Sequence, residues 1–266
     1  MERLLKRDRA VTIFALALLF LLAWLYLAAG AGMAMGAWEM TRLALAPAAG
    51  GHHEMGAPAW GLGTFALYAA MWWVMMIAMM VPAAAPTVLL YATVHRNAEA
   101  QGRLEGGSAP VGAFLAGYLS IWLLFSLAAT ALQWALERGG LVSAMTMSAS
   151  SRWVAGGLLI AAGIYQLSPL KQACLSHCRA PAAFISRHWR PGRSGALRLG
   201  MRHGAYCVGC CWLLMAMLFV GGVMNIVWIA ALTLMVMAEK LLSRGPWVAR
   251  GAGLVLVLWG VATMWR

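Results

Sequence analysis

Apolar residues run along this chain in blocks long enough to bury a helix on every side, and the polar residues gather between those blocks. The hydrocarbon core of a bilayer asks for about 20 consecutive apolar residues in helical form. Blocks of that kind occupy 11–29, 62–91, 111–135, 153–169, 203–221, 225–242 and 246–265. Lipid offers no partner to an open backbone, so each block is expected to be a helix. The pattern predicts an all-α polytopic transmembrane bundle of about seven spans, built as one transmembrane domain over 1–266. Basic residues precede the first block and Ala28-Ala29-Gly30-Ala31 follows it, as in a signal peptide. Its apolar run is too long for a signal core, so it is read as an anchor. Two polar connections stand out. The first, 30–60, is rich in Gly, Ala and Pro, contains GMAMG and GHHEMG, and carries no clear structure of its own; the second, 170–202, reads as a basic loop.

Composition agrees with a membrane chain: 63% of residues are hydrophobic and 11% charged, against about a quarter charged in a soluble domain. Lys and Arg number 20 against 8 acids, a balance that could suggest a nucleic-acid partner. Their placement argues otherwise. The N-terminal segment, the 95–110 connection, the 170–202 loop and the turn near 244 hold nearly all of them. Only Arg42, Arg138, Arg152 and Arg266 fall on the other side. This is the positive-inside bias; it predicts N-in/C-out in a plasma membrane and no nucleic acid. Glu239 and Lys240 are placed at a membrane boundary, leaving no ionisable residue near the middle of any span. A proton-coupled or voltage-sensing mechanism would need one there. Neither a phosphate-binding glycine loop nor a nucleophile elbow is present, so the chain reads as a binder, not an enzyme.

The dense chemistry is sulfur and imidazole. Cys207, Cys210 and Cys211 open the fifth block. Residues three and four apart share a helix face, so His203, Cys207, Cys211 and Met215 form one stripe with Cys210 beside it. Upstream, Cys174, His177 and Cys178 lie in the basic loop. If the two segments meet at the inner surface, five thiols and one or two imidazoles converge. Thiols on a reducing side stay unpaired and suit a soft or borderline ion, Cu(I) or Zn(II). A lone cysteine would count as a small apolar packing residue; five in two short clusters favour metal.

A second set lies in MWWVMMIAMMVPAAAP, Met71 to Pro86, where Met71, Met75 and Met79 share a face with Met76 and Met80 alongside. Thioethers are uncharged, so they ligate a soft ion without a charge penalty in lipid. Pro82 and Pro86 each remove a helical hydrogen bond, which predicts a kink. Packing alone also explains such methionines, but the chain holds 19 of them. A third, outer group comprises His52, His53 and Met55 with Met33, Met35, Met145 and Met147. His95 and His188 are read as ordinary interfacial residues, and Trp60, Trp122, Trp153, Trp247 and Trp265 as interface anchors.

Three stretches carry a resemblance: the methionine block above, YQLSPLKQACLSHCRAP from Tyr165 to Pro181, and the segment from Cys207 to Lys240. Together they resemble a bacterial family of predicted metal-binding integral membrane proteins, a domain of unknown function that includes a membrane copper chaperone encoded beside a tyrosinase. The resemblance implies a multi-pass protein of the bacterial inner membrane that handles copper for a cuproenzyme, a tyrosinase or another oxidase. It points to Met71, Met75, Met79, Met80, Cys174, Cys178, Cys207, Cys210 and Cys211.

The expectation is therefore a Cu(I) carrier, with zinc as the second metal. A membrane thiol–disulfide oxidoreductase using Cys207 with Cys210, or Cys174 with Cys178, is the alternative. A non-catalytic scaffold with a structural metal site is the third.

Overall fold

The computed structural model describes residues 2–33, 35–45, 60–102 and 110–265. All regular elements among them are helices: α1 (Glu2–Ala28), α2 (Ala37–Leu45), α3 (Leu62–Ala100), α4 (Val111–Arg138), α5 (Arg152–Leu167), α6 (Pro169–Arg179), α7 (Pro181–His188), α8 (Gly192–Ala216), α9 (Leu218–Gly221), α10 (Ile226–Leu241) and α11 (Gly245–Trp265). Beside them, one isolated antiparallel bridge, Val142 to Ala149, closes the turn after α4.

Five stretches are long and apolar enough to cross a membrane: Arg9–Ala28, Leu62–Ala100, Val111–Arg138, Gly192–Gly221 and Gly245–Trp265. The pair α5 and α6 adds a sixth if counted as one span bent by 64°. α10 has 16 residues, fewer than the roughly 20 a straight crossing needs.

The segment 170–202 is not an open loop but α6, α7 and the first turns of α8. Ser168 Oγ accepts the Lys171 N–H at 3.2 Å and Pro169 occupies the first turn, a ready helix start. Pro181 starts α7 in the same way. α8 begins well before its apolar block because Arg193, Arg198 and Arg202 lie on exposed positions of a helix that extends beyond it. Within the 30–60 connection lies α2, whose Thr41 Oγ1 accepts the Ile226 N–H at 3.0 Å, docking α2 on the start of α10.

Small residues let the helices approach closely. A Cβ on Gly200 of α8 would fall on the Phe114 carbonyl of α4, and one on Gly163 of α5 would stand 2.7 Å from the Gly253 carbonyl of α11. Membrane helices pack by such contacts because lipid supplies no hydrophobic drive between them. α3 is the hub, touching α1, α4, α7 and α10. Its methionines are buried, while Leu22 and Leu25 of α1 and Leu254 and Leu258 of α11 face outward. Trp122 is no interface anchor: it is fully buried in α4, edge-on to Phe125 at 5.3 Å. His95 is likewise buried, against Tyr91 and Trp189.

Candidate metal centre

Helical spacing puts Cys207, Cys210 and Cys211 on the buried face of α8, each about 1% exposed, and they touch one another. Cys178, from the last turn of α6, is in side-chain contact with both Cys207 and Cys210. Cys174, one turn earlier, lies over Gly209, where an added Cβ would meet its Sγ at 2.9 Å. The two thiol-bearing segments thus meet, the condition on which convergence of their thiols depends. All five cysteines are free thiols.

Three further helices reach this point. From α3, Met80 brings its Sδ to 3.9 Å from Cys211 Sγ. From α4, the Tyr118 hydroxyl sits 3.0 Å from Cys207 Sγ and 3.3 Å from the Met80 carbonyl. From α10, Lys240 Nζ donates to Cys207 Sγ at 2.9 Å. The thiols themselves face the helix: Cys210 Sγ and Cys211 Sγ both donate to the Cys207 carbonyl, at 3.1 and 2.8 Å. Among the described residues no three His, Cys, Asp or Glu side chains are arranged to hold an ion. In this rotameric state the sulfurs are gathered but not aimed at a common centre.

The neighbouring α6–α10 contact holds the assembly. Lys171 Nζ lies 2.6 Å from Glu239 Oε2, with both side chains buried. Gln166 Nε2 donates to Glu239 Oε1 at 2.6 Å, and Arg179 donates to the Glu239 and Ser243 carbonyls at 2.6 and 3.0 Å. Such a pair is stable in a dry interior only when its remaining polar atoms are also satisfied, as these largely are. The Tyr165 hydroxyl adds a hydrogen bond to the Gly209 carbonyl.

The imidazoles divide. His203 is buried one turn before Cys207, packed against Tyr118, Phe114 and Phe184, with Nδ1 lacking a partner. His177 instead stacks flat on Tyr206, centroids 4.1 Å apart. Met71, Met75, Met76 and Met79 are wholly buried along α3 with Met80. Of the outer group, His52, His53 and Met55 lie outside the described residues. Met147 packs inside, its carbonyl accepting the Val223 N–H at 3.3 Å.

Tyr118, Lys240, Lys171 and Glu239 were not anticipated from the sequence. Their signal was present for the last three, since a charge buried within a membrane protein is a functional or pairing residue by default. Hydropathy puts Glu239 and Lys240 near the end of a block; their side chains nonetheless point into the bundle. Tyr118 had no signal, being an aromatic residue in an apolar helix.

No curated protein and no solved structure matches the chain. The profile of the PpoB2 family, described as copper chaperone, matches residues 69–263, a stretch that contains every sulfur and charged contact described above. The chain belongs to the PpoB2 copper chaperone family.

Proposed function

We propose that this protein is an integral membrane Cu(I) chaperone, a carrier and not an enzyme, that supplies a copper-dependent enzyme such as a tyrosinase or another oxidase. The observation that carries the reading is the meeting of Cys178, Cys207, Cys210 and Cys211 with the Met80 thioether in one buried place. Thiolates and thioethers are the donors that a soft monovalent ion prefers. A short rotation of Cys210 and Cys211 away from the Cys207 carbonyl would turn these sulfurs toward an ion. Lys240 would then offset the negative charge that two thiolates bring to Cu(I). Met71, Met75, Met76 and Met79 would extend the path with weaker, exchangeable donors, and His52, His53 and Met55 would serve the far side.

The arrangement in the membrane is proposed as seven passes in one domain, N-in/C-out, with α10 as a short pass and the thiols toward the cytoplasmic face. The bias of basic residues supports this orientation. The bacterial inner membrane is the compartment that fits it.

The deciding measurement is metal content of the protein purified under reducing conditions, wild type against Cys207→Ser/Cys210→Ser/Cys211→Ser. Copper bound at a fixed ratio and lost in the variant supports the proposal; equal copper in both removes it. One observation favours a second reading: an ammonium beside a thiol, as Lys240 is beside Cys207, also suits a reactive redox cysteine. A disulfide trapped in membranes, or thiol-dependent quinone reduction, would select an oxidoreductase. Zinc in place of copper would select the structural-site reading.

A further inference from the structure

His177 and His188 lie in the last turns of α6 and α7, and both line a pocket of about 210 Å³ together with Ser176, Phe184 and Arg187. Each ring is anchored in the same way. His177 Nδ1 lies 2.9 Å from the Ala173 carbonyl, and His188 Nδ1 lies 3.0 Å from the Phe184 carbonyl. A carbonyl only accepts, so each Nδ1 carries the hydrogen, and the neutral ring is left with a bare lone pair on Nε2. Fixing a histidine through its other nitrogen is how metal-ligating imidazoles are oriented. Both rings are also held by aromatic neighbours: His177 on Tyr206, and His188 against Phe184 at 5.1 Å. Both side chains are partly exposed, so the pocket is open to an incoming ion.

The pocket adjoins the sulfur cluster. Cys178 follows His177 on α6 and touches Cys207 and Cys210. Phe184, on the pocket wall, packs against His203 at 5.4 Å. His203 is about 2% exposed with Nδ1 unpartnered, and precedes Cys207 by one helical turn.

We propose that His177 and His188 form a two-imidazole binding site for Cu(I), separate from the thiols, with the two Nε2 atoms as donors. Two nitrogen donors meet the low coordination number that Cu(I) accepts, whereas Zn(II) asks for four ligands. Arg187 is exposed, so water and salt screen its charge; it weakens the site without closing it. Weak nitrogen ligation beside strong sulfur ligation makes this a port at which the ion exchanges. When the ion passes from imidazole to thiol, the Cu–N bonds break and Cu–S bonds form. Each thiol gives up its proton to the water that the open pocket admits. The port role rests on the thiol reading given above; the existence of the site does not.

The test is anaerobic Cu(I) titration against a chromophoric chelator, with the purified full-length protein in detergent. A variant with all five cysteines replaced by serine should keep a weakly held Cu(I) with nitrogen ligation by X-ray absorption, beside any ion held by the methionines or by His52 and His53. Adding His177→Asn/His188→Asn should weaken that ion by about tenfold or more. Asn preserves the hydrogen bond made by Nδ1 and deletes Nε2, so helix ends are spared. With the cysteines intact, the same pair of substitutions should remove one Cu(I) from the stoichiometry and leave the thiol-bound copper in place, which keeps the test valid if the cysteine-free variant does not fold. Unchanged stoichiometry and affinity on removing both imidazoles overturns the inference. That result would leave the thiol reading standing, whereas wild-type protein that takes up no Cu(I) sinks both.

Discussion

Lys240 Nζ stands 2.9 Å from Cys207 Sγ inside the bundle, one residue after the Glu239 that pairs with Lys171. The two acid–base neighbours in sequence therefore serve different partners, one a thiol and one an ammonium. This divides their roles into charge balance at the sulfur cluster and attachment of the helix that delivers Cys178.

Lys240→Met keeps much of the side-chain volume and deletes the ammonium. Losing one member of a buried charged contact costs about 2–5 kcal/mol, so Cu(I) affinity should fall by at least tenfold while Lys240→Arg retains part of it. Chelator competition on the purified variants measures this directly. Equal affinity in wild type and Lys240→Met would show that the cation does not stabilise the loaded site.

Glu239→Ala leaves Lys171 buried without its counter-charge, a change worth about 3–5 kcal/mol of destabilisation. The melting temperature in detergent should drop, and copper retention should drop with it as α6 loosens from α10. The double variant Lys171→Met/Glu239→Leu should regain most of the stability, because two apolar groups replace the pair. A double variant no more stable than Glu239→Ala would count against the pair as the attachment.

Gly200→Ala introduces a Cβ onto the Phe114 carbonyl at the α4–α8 contact. Backbone must move there, so a loss of about 1–3 kcal/mol is expected. The shift would also draw Tyr118 away from Cys207. Gly251→Ala has open space around it and serves as the matched control; thermal unfolding of the two variants separates a packing effect from helix propensity.

Met80→Leu conserves volume at a cost below about 1.5 kcal/mol while removing the sulfur that lies 3.9 Å from Cys211. Copper affinity should weaken severalfold with little change in melting temperature. Met71→Leu, farther along α3, should leave the thiol-bound copper unaltered. Sulfur coordination counted by X-ray absorption checks the difference.

Much of this was legible in one dimension. Apolar block length marks α1, α3, α4 and α11, and the i, i+3, i+4 spacing puts Cys207, Cys210 and Cys211 on one face. The approach of Cys178 to that face requires the two cysteine-bearing segments to meet, which spacing along the chain does not decide. What a linear pattern does not carry is azimuth and depth inside a bundle: whether Lys240 turns to lipid headgroups or to a thiol depends on how α10 is rotated against α8. The helical character of 170–202 was hidden for a different reason. Its charges mask two start signals, Ser168-Pro169 at the very end of an apolar block and Ala180-Pro181 beyond it. His177 shows the limit of adjacency, since the residue beside Cys178 on a helix points about 100° away from it.

A phenol has a single hydrogen to offer, and that of Tyr118 faces two claimants, Cys207 Sγ and the Met80 carbonyl. If Cys207 keeps its own hydrogen, it can donate to the phenol oxygen and leave the phenol free to bind the carbonyl. Once a cation replaces that hydrogen, the phenol's allegiance is open to revision, and the backbone just ahead of Pro82 feels the outcome. Occupancy in one helix would then be audible in the spine of another, without either having to move.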